Sequence, residues 1–224
     1  MCATHKYLSF VIVILLLCIF WFWNMTLNHP DLPKIKLEDA TFKTGDMLLF
    51  HAYDNINPVF IGSYWGHVGI VYVDPAKPSK PFVFEATNIV GLKQCPEYNK
   101  NGITITDLKT RIEKYPGLIA CKYLANPLDS NIIIQFKDFI NYAKDNMYYN
   151  VNVVTNGFSK LFGDMLHTGT NCGEITFLSL IKLNLILKKT LLDRICHHLL
   201  YVVNLENLKN NKYLPPVEIT YSQF

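Results

Sequence analysis

Two segments of this chain hold the residue types that nucleophilic chemistry by a thiol requires. The segment TGTNCGEITF places Cys172 between small, turn-prone residues and an apolar stretch, and the segment WGHVGIV places His67 in a strand-like run. In such chemistry a nearby imidazole takes the thiol proton, and the thiolate attacks a carbonyl carbon. Cys172 and His67 are therefore candidates for a cysteine nucleophile and its base.

The residues around Cys172 predict the start of a helix. Asn171 is a good N-cap residue, and Glu174 follows it at the spacing of a capping box. Cys172 would then be the first helical residue, where exposed N–H groups and the helix dipole favour a thiolate or an oxyanion. The apolar run ITFLSLIKLNLIL from Ile175 predicts that this helix is buried in the core. The alternative is that Cys172 is a small buried residue without a chemical role.

A predicted hairpin brings an acid close to the histidine. HVGIVYVD and PFVFEAT are typical of β-strands, and the Pro-rich segment DPAKPSKP between them is typical of a turn. A tight turn centred near Ala76 places Gly69 opposite Val83 and His67 directly opposite Glu85, on one face of the sheet. Glu85 would then accept the second imidazole N–H and fix the tautomer. The alternatives are a histidine satisfied by a backbone group and a solvated glutamate at a strand end.

Five short motifs resemble those of a known family. In chain order they are GDMLLF from Gly45 to Phe50, WGHVGIVYV, FEA from Phe84 to Ala86, NMYYN from Asn146 to Asn150, and NCGEITF. In these motifs the chain is similar to the permuted papain-like amidases of the NlpC superfamily, which include the YaeF and YiiX type of bacterial protein and relatives in some large DNA viruses. The resemblance covers roughly residues 41–185, and the histidine precedes the cysteine as in the circularly permuted branch.

The resemblance implies a role for each motif residue. In that family the GD motif opens the domain on a strand, which makes Asp46 a structural, entrance or substrate-binding residue. The histidine lies on the next strand, so that His67 is implied as the base. A polar residue on the following strand, here Glu85, orients it, and the cysteine that begins a core helix, here Cys172, is the nucleophile.

The tyrosine motif suggests a donor to the oxyanion, and a neighbouring family suggests a second kind of acyl substrate. Tyr148 or Tyr149 could donate to an oxyanion, beside the backbone N–H of the nucleophile. Relatives often have a serine after the cysteine and an aspartate after the tyrosines, where this chain has Gly173 and Asn150. The lecithin:retinol acyltransferase-like proteins have a similar histidine strand and an NCEHF motif, and they move fatty acyl groups. The shared implication is acyl transfer through a thioester, with the acyl donor and acceptor left open.

The N-terminus predicts a membrane anchor. The run YLSFVIVILLLCIFWFW from Tyr7 to Trp23 has 17 residues and no charge, and about 20 apolar residues cross a bilayer. Its bulky aromatic end is typical of a membrane interface, whereas a cleaved signal peptide ends in small residues. The sequence therefore predicts an uncleaved single-pass anchor with the lipid bilayer as partner. The flanking basic residues leave the side of the membrane open.

Composition and spacing limit the remaining possibilities. A net charge of +3 with scattered Lys and Arg gives no support for nucleic-acid binding. Six cysteines without a CxxC pair do not predict a disulfide framework. No cluster of His and Cys has the spacing of a zinc site, so we expect neither a metal nor another cofactor. The predicted organisation is an anchor (1–27), a linker (28–40), one cysteine hydrolase domain (41–212) and a tail (213–224) that is extended or a loop.

The other segments predict an α+β fold. KNGITITDLKTRI predicts a strand and a short helical turn, PGLIACKYLA predicts a core strand, and NIIIQFKDFINYAKDN predicts a helix that covers one sheet face. TLLDRICHHLLYVVNLENLK predicts a packed helix, with a membrane-surface helix as the alternative. The expected fold is a circularly permuted papain-like domain, with an antiparallel, partly barrel-like sheet against the helix that carries Cys172.

These observations lead to one expected function and two alternatives. We expect a membrane-anchored cysteine hydrolase that cleaves an amide bond of the peptide or isopeptide type through Cys172, His67 and Glu85. The first alternative is a lipid acyltransferase or phospholipase that uses the same three residues. The second is a membrane-tethered structural or binding module without turnover.

Overall fold

The structure is a computed structural model of the 224-residue chain. It describes residues 12–16, 31–52, 64–87, 102–149, 169–186 and 212–221. The strands are β1 (Lys34–Lys36), β2 (Met47–Ala52), β3 (His67–Val73), β4 (Pro81–Ala86), β5 (Ile103–Asp107), β6 (Gly117–Lys122), β7 (Tyr148–Tyr149), β8 (Gly169–Thr170) and β9 (Val217–Thr220). The helices are α1 (Leu108–Glu113), α2 (Ser130–Asn146) and α3 (Cys172–Lys182), and Leu37–Asp39 form a 3-10 turn.

Seven of these strands form one sheet, in the order β1-β9-β6-β2-β3-β4-β5. β1 and β9 are parallel, and the other neighbours are antiparallel. The short strands β7 and β8 form a separate parallel pair. The predicted α+β class is confirmed. The expectation of a partly barrel-like sheet is wrong, because β1 and β5 are the two edges of an open sheet.

Apolar side chains cover both faces of this sheet. The core between one sheet face and the helices α2 and α3 includes Met47, Leu49, Ile70 and Phe84 from the strands and Phe136, Ile140, Ile175 and Leu180 from the helices. The core between the other face and α1 includes Leu48, Phe50, Val71, Val83 and Ile119 from the strands and Leu108 and Ile112 from the helix. Because successive side chains of a strand point to opposite faces, a strand covered on both sides is apolar at every position. This explains the apolar run of residues 47–50 in β2.

Helix α2 matches the predicted amphipathic pattern. Phe136, Phe139, Ile140 and Ala143 are buried against the sheet, at the spacing of one helical face. Asp129 caps the N-terminus by accepting from the N–H of Asn131 at 2.7 Å. The predictions of a strand and a short helix at β5 and α1, and of a core strand at β6, are also confirmed.

The sheet extends beyond the predicted domain of residues 41–212. β1 lies within the predicted linker and β9 within the predicted tail, and these two strands pair with each other. Residues 34–36 of the predicted linker and 217–220 of the predicted tail are therefore parts of the folded sheet. Helix α3 is shorter than the apolar run after Ile175 predicted, because the chain turns at Asn184, which has a φ of 54°.

Most of the predicted membrane anchor lies outside the described residues. Within it, residues 12–16 are helical and exposed. None of the helices in the described ranges is long and apolar enough to span a membrane. The helix predicted at residues 190–209 also lies outside the described residues.

Candidate active site

The β3–β4 hairpin has a different register from the predicted one. Ile70 lies opposite Phe84 and Val73 opposite Pro81, which is a shift of two residues from the prediction. The physical reason is the connection, which runs over residues 74–80 and is longer than a tight turn centred on Ala76. Because side chains alternate with a period of two, a two-residue shift keeps the same side chains on the same face.

This register makes the histidine and the acid diagonal neighbours across the two strands. Nε2 of His67 lies 2.6 Å from Oε2 of Glu85. Gly69 lies on the same face of the sheet, two residues after His67. A Cβ added at Gly69 would lie 3.3 Å from Cβ of Glu85 and 2.8 Å from Cγ1 of Val83. Diagonal positions are within reach of long side chains. The absence of a side chain at Gly69 leaves room for this contact.

Helix α3 brings the thiol to the histidine. Oδ1 of Asn171 accepts a hydrogen bond from the N–H of Glu174 at 2.9 Å, so Asn171 is the N-cap and Cys172 the first helical residue, as predicted. The Cys172 thiol is hydrogen-bonded to the His67 imidazole, and the N–H groups of Val68 and Gly173 also donate to the sulfur. The structure therefore brings together Cys172, His67 and Glu85.

The donor at Val68 comes from the point where β3 and β4 separate. Their pairing ends at Ile70 opposite Phe84, and Val68 lies beyond that end. The N–H of Val71 is bonded on the β2 side, so the N–H of Val68, three residues away, points to the opposite side. There it meets Cys172. Sequence reasoning missed this donor, because a backbone group leaves no signal in the residue types.

The charges of the thiol and the imidazole support each other. Burial favours the neutral Cys172 thiol, but the positive charge and hydrogen bond of His67 and the N–H groups of Val68 and Gly173 lower its pKa overall. Burial likewise disfavours the charged His67 ring, yet the Cys172 thiolate and the Glu85 carboxylate raise its pKa to about 9. Both shifts act in the direction of a thiolate and imidazolium pair.

Glu85 is held on both of its oxygens. Arg111 Nε lies 2.6 Å from Oε1 and Arg111 Nη2 lies 3.1 Å from Oε2, the oxygen that also contacts His67. Burial favours a neutral Glu85, but the charge of Arg111 and the bond to His67 outweigh it and lower its pKa to about 2. An ionised Glu85 is only an acceptor, so Nε2 of His67 carries the proton and Nδ1 is the nitrogen that serves the thiol.

Arg111 was not predicted as a site residue. It lies on α1 between Leu108 and Ile112, and all three side chains are buried against the sheet. One signal was present in the sequence, since only two of its 21 basic Lys and Arg residues are arginines, Arg111 and Arg194. A buried carboxylate calls for a partner with a fixed pair of donors, and arginine provides it.

The two predicted tyrosines differ in position. Tyr149 pairs with Thr170, two residues before Cys172. Burial, and then the Cys172 thiolate, raise the pKa of Tyr149 above its usual range, so its hydroxyl stays protonated and is a donor. Tyr148 is 39% exposed. The structure therefore brings Tyr149 within electrostatic range of the Cys172 thiol.

Asp46 lies away from these residues. Its carboxylate is fully buried and accepts from the N–H groups of Lys43 at 2.8 Å and Leu124 at 2.7 Å. It precedes Met47, whereas His67 lies beside Phe50. Four residues along a strand correspond to roughly 13 Å. Asp46 therefore has the structural role of holding the start of β2, and the substrate-binding role given to it is not supported. Burial raises its pKa to about 6.

The other cysteines and possible metal ligands add little. Cys121 is buried and Cys172 partly buried, and both are free thiols. Burial raises the pKa of Cys121 well above its usual value. Within the described ranges, no cluster of three or more His, Cys, Asp or Glu side chains could hold a metal ion. Cys2, Cys18, Cys95 and Cys196 lie outside the described residues.

Comparisons with known proteins are sparse. No family model matches the chain, and a search of curated proteins gives no match. Among solved structures, the chain is similar to the crystal structure of the metalloprotein yiiX from Escherichia coli O157:H7, with 16% identity and a TM-score of 0.45. That similarity covers 80% of this chain and 89% of the other. A likeness this distant gives no information on the site residues or the activity.

Proposed function

We propose that this protein is a cysteine hydrolase that cleaves an amide bond of the peptide or isopeptide type through a thioester. The observation that carries the proposal is the convergence of the Cys172 thiol, the His67 imidazole and the Glu85 carboxylate, with the thiol pKa lowered and the imidazole pKa raised. A buried structural cysteine has the opposite shift, as Cys121 shows. Perturbed groups with a defined geometry are typical of active sites.

The residues account for each step of this reaction. The Cys172 thiolate attacks the carbonyl carbon, and the carbonyl oxygen becomes an oxyanion facing the backbone N–H groups at the start of α3. His67 then gives its proton to the amine, which leaves as the carbon–nitrogen bond breaks. His67 next accepts a proton from water, whose oxygen attacks the thioester, and the acid leaves as the thiol is restored. Tyr149, whose pKa burial and then the Cys172 thiolate raise, is the tyrosine that we propose as a further hydrogen-bond donor to the oxyanion.

The same features support a more specific family assignment. We propose that the domain is a permuted papain-like amidase of the NlpC type. The support is the order of the motifs along the chain and a nucleophile at the N-terminus of a core helix beside a histidine strand. Thioester chemistry on this arrangement requires no cofactor.

The proposal is tested by trapping the thioester. The full chain is incubated with activated esters and with peptide and isopeptide amides, and the intact mass and product release are measured. We expect an acyl adduct on Cys172 and release of the amine, both lost in Cys172→Ala and retained in the control Cys121→Ala. If no substrate gives an adduct and the two variants behave alike, the domain is a binding or structural module without turnover.

A lipid substrate is the second candidate function. The uncharged run from Tyr7 to Trp23 favours it, because a membrane anchor would hold the site close to bilayer lipids. The test is incubation with vesicles of glycerophospholipid, followed by detection of free fatty acid or of acyl transfer to an added amine. Cleavage of vesicle lipids with no cleavage of amides would replace the amidase proposal by an acyltransferase or phospholipase. Flotation of the chain with the vesicles tests the anchor itself.

A further inference from the structure

The clearest feature that the proposed reaction leaves unused is the buried arginine behind Glu85. Arg111 is 3% exposed, and its guanidinium contacts both carboxylate oxygens, at 2.6 and 3.1 Å. Two parallel donors fix the plane of a carboxylate as well as its position. Since His67 donates to Oε2 of the same carboxylate, the plane of Glu85 sets where the imidazole ring points.

Aromatic rings hold Arg111 in this place. Its guanidinium carbon lies 4.5 Å from the ring centre of Phe50 and 5.1 Å from that of Tyr115. The ring of Phe50 also lies 5.3 Å from the ring of His67. A guanidinium over aromatic faces is stabilised by their negative quadrupoles. Phe50 thus packs against the cation behind Glu85 and against the imidazole in front of it.

The charges of the group balance only if Arg111 is included. The titratable groups that face Glu85 are His67 from β3, Arg111 from α1 and Tyr115 after α1, and Cys172 from α3 faces His67. With Arg111 and Glu85 as one ion pair, the imidazolium and thiolate form a second, and the buried site is neutral. Without Arg111, an ionised Glu85 leaves the site with excess negative charge, which disfavours the thiolate. A protonated Glu85 instead withdraws support from the imidazolium, with the same result.

We propose that Arg111 is a positioning residue of this site, whose guanidinium fixes both oxygens of Glu85 and supplies the buried positive charge that lets the site carry a thiolate. The inference rests on the proposed function, in which Cys172 must be a thiolate to attack. It acts through Glu85 and His67, and Arg111 itself touches no substrate.

The test measures the thiolate without any substrate. The rate of alkylation of Cys172 by iodoacetamide is measured over about pH 5 to 9 in the full chain, with Cys172 identified by mass spectrometry of a digest. We expect Arg111→Met to slow alkylation at about pH 6 by about tenfold or more, as a rise of one unit in thiol pKa would do, and to move the profile to higher pH. Lys109→Met is the matched control on the exposed side of α1, and we expect no change.

Two further variants address folding, because removing one partner of a buried ion pair is strongly destabilising. Arg111→Lys keeps the charge but has no fork of donors, so we expect slower alkylation than in the wild type with the fold retained. The double variant Glu85→Gln with Arg111→Met removes both charges, and we expect it to be more stable than Arg111→Met and to be alkylated as slowly as Glu85→Gln alone.

The outcomes separate this inference from the proposed function. Wild-type profiles in folded Arg111→Met and Arg111→Lys would overturn the positioning role and leave a purely structural arginine. A slower Arg111→Met with no additional loss in the Glu85→Gln background supports action through Glu85. Failure of the proposed function would instead appear as the absence of any acyl adduct in the wild type, which the alkylation rates do not measure.

Discussion

Glu85 carries a full charge in a place where an isolated carboxylate would be protonated. It is completely buried, yet two cations contact it and keep its pKa at about 2. His67 lies between two acidic groups, Glu85 at its Nε2 and the Cys172 thiol, and both raise its pKa. The consequence is an alternation of charge from Arg111 to Cys172 through the buried site. Removing any one member leaves a charge without its partner, which is costly in a low-dielectric interior.

The coupling of His67 to Cys172 can be tested on the imidazole. Because the pKa of His67 is raised to about 9, the ring keeps its proton at neutral pH and loses it as the pH rises through about 9. Replacing Cys172 with Ala removes the thiolate that contributes to this shift, so we expect the pKa of His67 to fall in that variant. The measurement is an NMR titration of the His67 ring protons, with Cys121→Ala as control. An equal pKa in the wild type and Cys172→Ala would contradict the coupling.

At the scale of elements, the first turn of α3 both starts the helix and contacts the sulfur of Cys172. It starts the helix through the bond from the N–H of Glu174 to Oδ1 of Asn171, and it presents the N–H of Gly173 to the sulfur of Cys172. The N-cap bond contributes to the free energy of unfolding, whereas charge near the sulfur changes the reactivity of the thiol. Substitutions at Asn171 can separate the two.

We predict different effects for two substitutions of this cap. Asn171→Ala removes the acceptor and should lower the free energy of unfolding by about 1 kcal/mol, measured by urea denaturation. Asn171→Asp keeps an acceptor, so we expect its stability to stay close to that of the wild type. Its new carboxylate lies next to Cys172 and should raise the thiol pKa and slow alkylation at neutral pH. Unchanged alkylation in Asn171→Asp would show that the helix start does not control the thiol.

The local sequence predicted the helix start and the strands of the site, but it did not predict the register between β3 and β4. The cap at Asn171 and the strands at His67 and Glu85 follow from residue types within a few positions, because capping and alternation are local interactions. The β3–β4 register depends on the length of the connection, and the sequence did not fix that length. The two hydrogen bonds from Arg111 to Glu85 depend on the packing of α1 over the sheet face that carries Glu85. That packing is a long-range contact, and the local sequence contains no signal for it.

For the whole molecule, the sequence predicted the class of fold better than its extent. The strands β1 (KIK) and β9 (VEIT) alternate polar and apolar residues, but with three and four residues they are too short for that alternation to stand out in a sequence. They form because β6 offers an unpaired edge to β9, and β9 then offers one to β1. This layering also explains why Glu218 is buried within a nominal tail, where Lys34 lies 3.3 Å from it.

The fold assembles the site from three distant stretches of chain. β3 and β4 supply His67 and Glu85, α1 supplies Arg111, and α3 enters from the opposite face with Cys172 at its first position. The sulfur reaches the imidazole where β3 and β4 separate. The global arrangement of sheet and helices, and not any single segment, therefore determines whether Cys172 is a nucleophile or an ordinary thiol.

The rate of Cys172 alkylation by iodoacetamide as a function of pH tests this most directly. An ordinary thiol loses about tenfold in thiolate for each pH unit below its pKa. We predict that the midpoint for Cys172 lies below that of an ordinary cysteine, about 8.5, and that His67→Ala moves it upward, since burial then acts without the imidazolium. A midpoint at or above that of an ordinary cysteine, or identical profiles for the wild type and His67→Ala, would contradict the account.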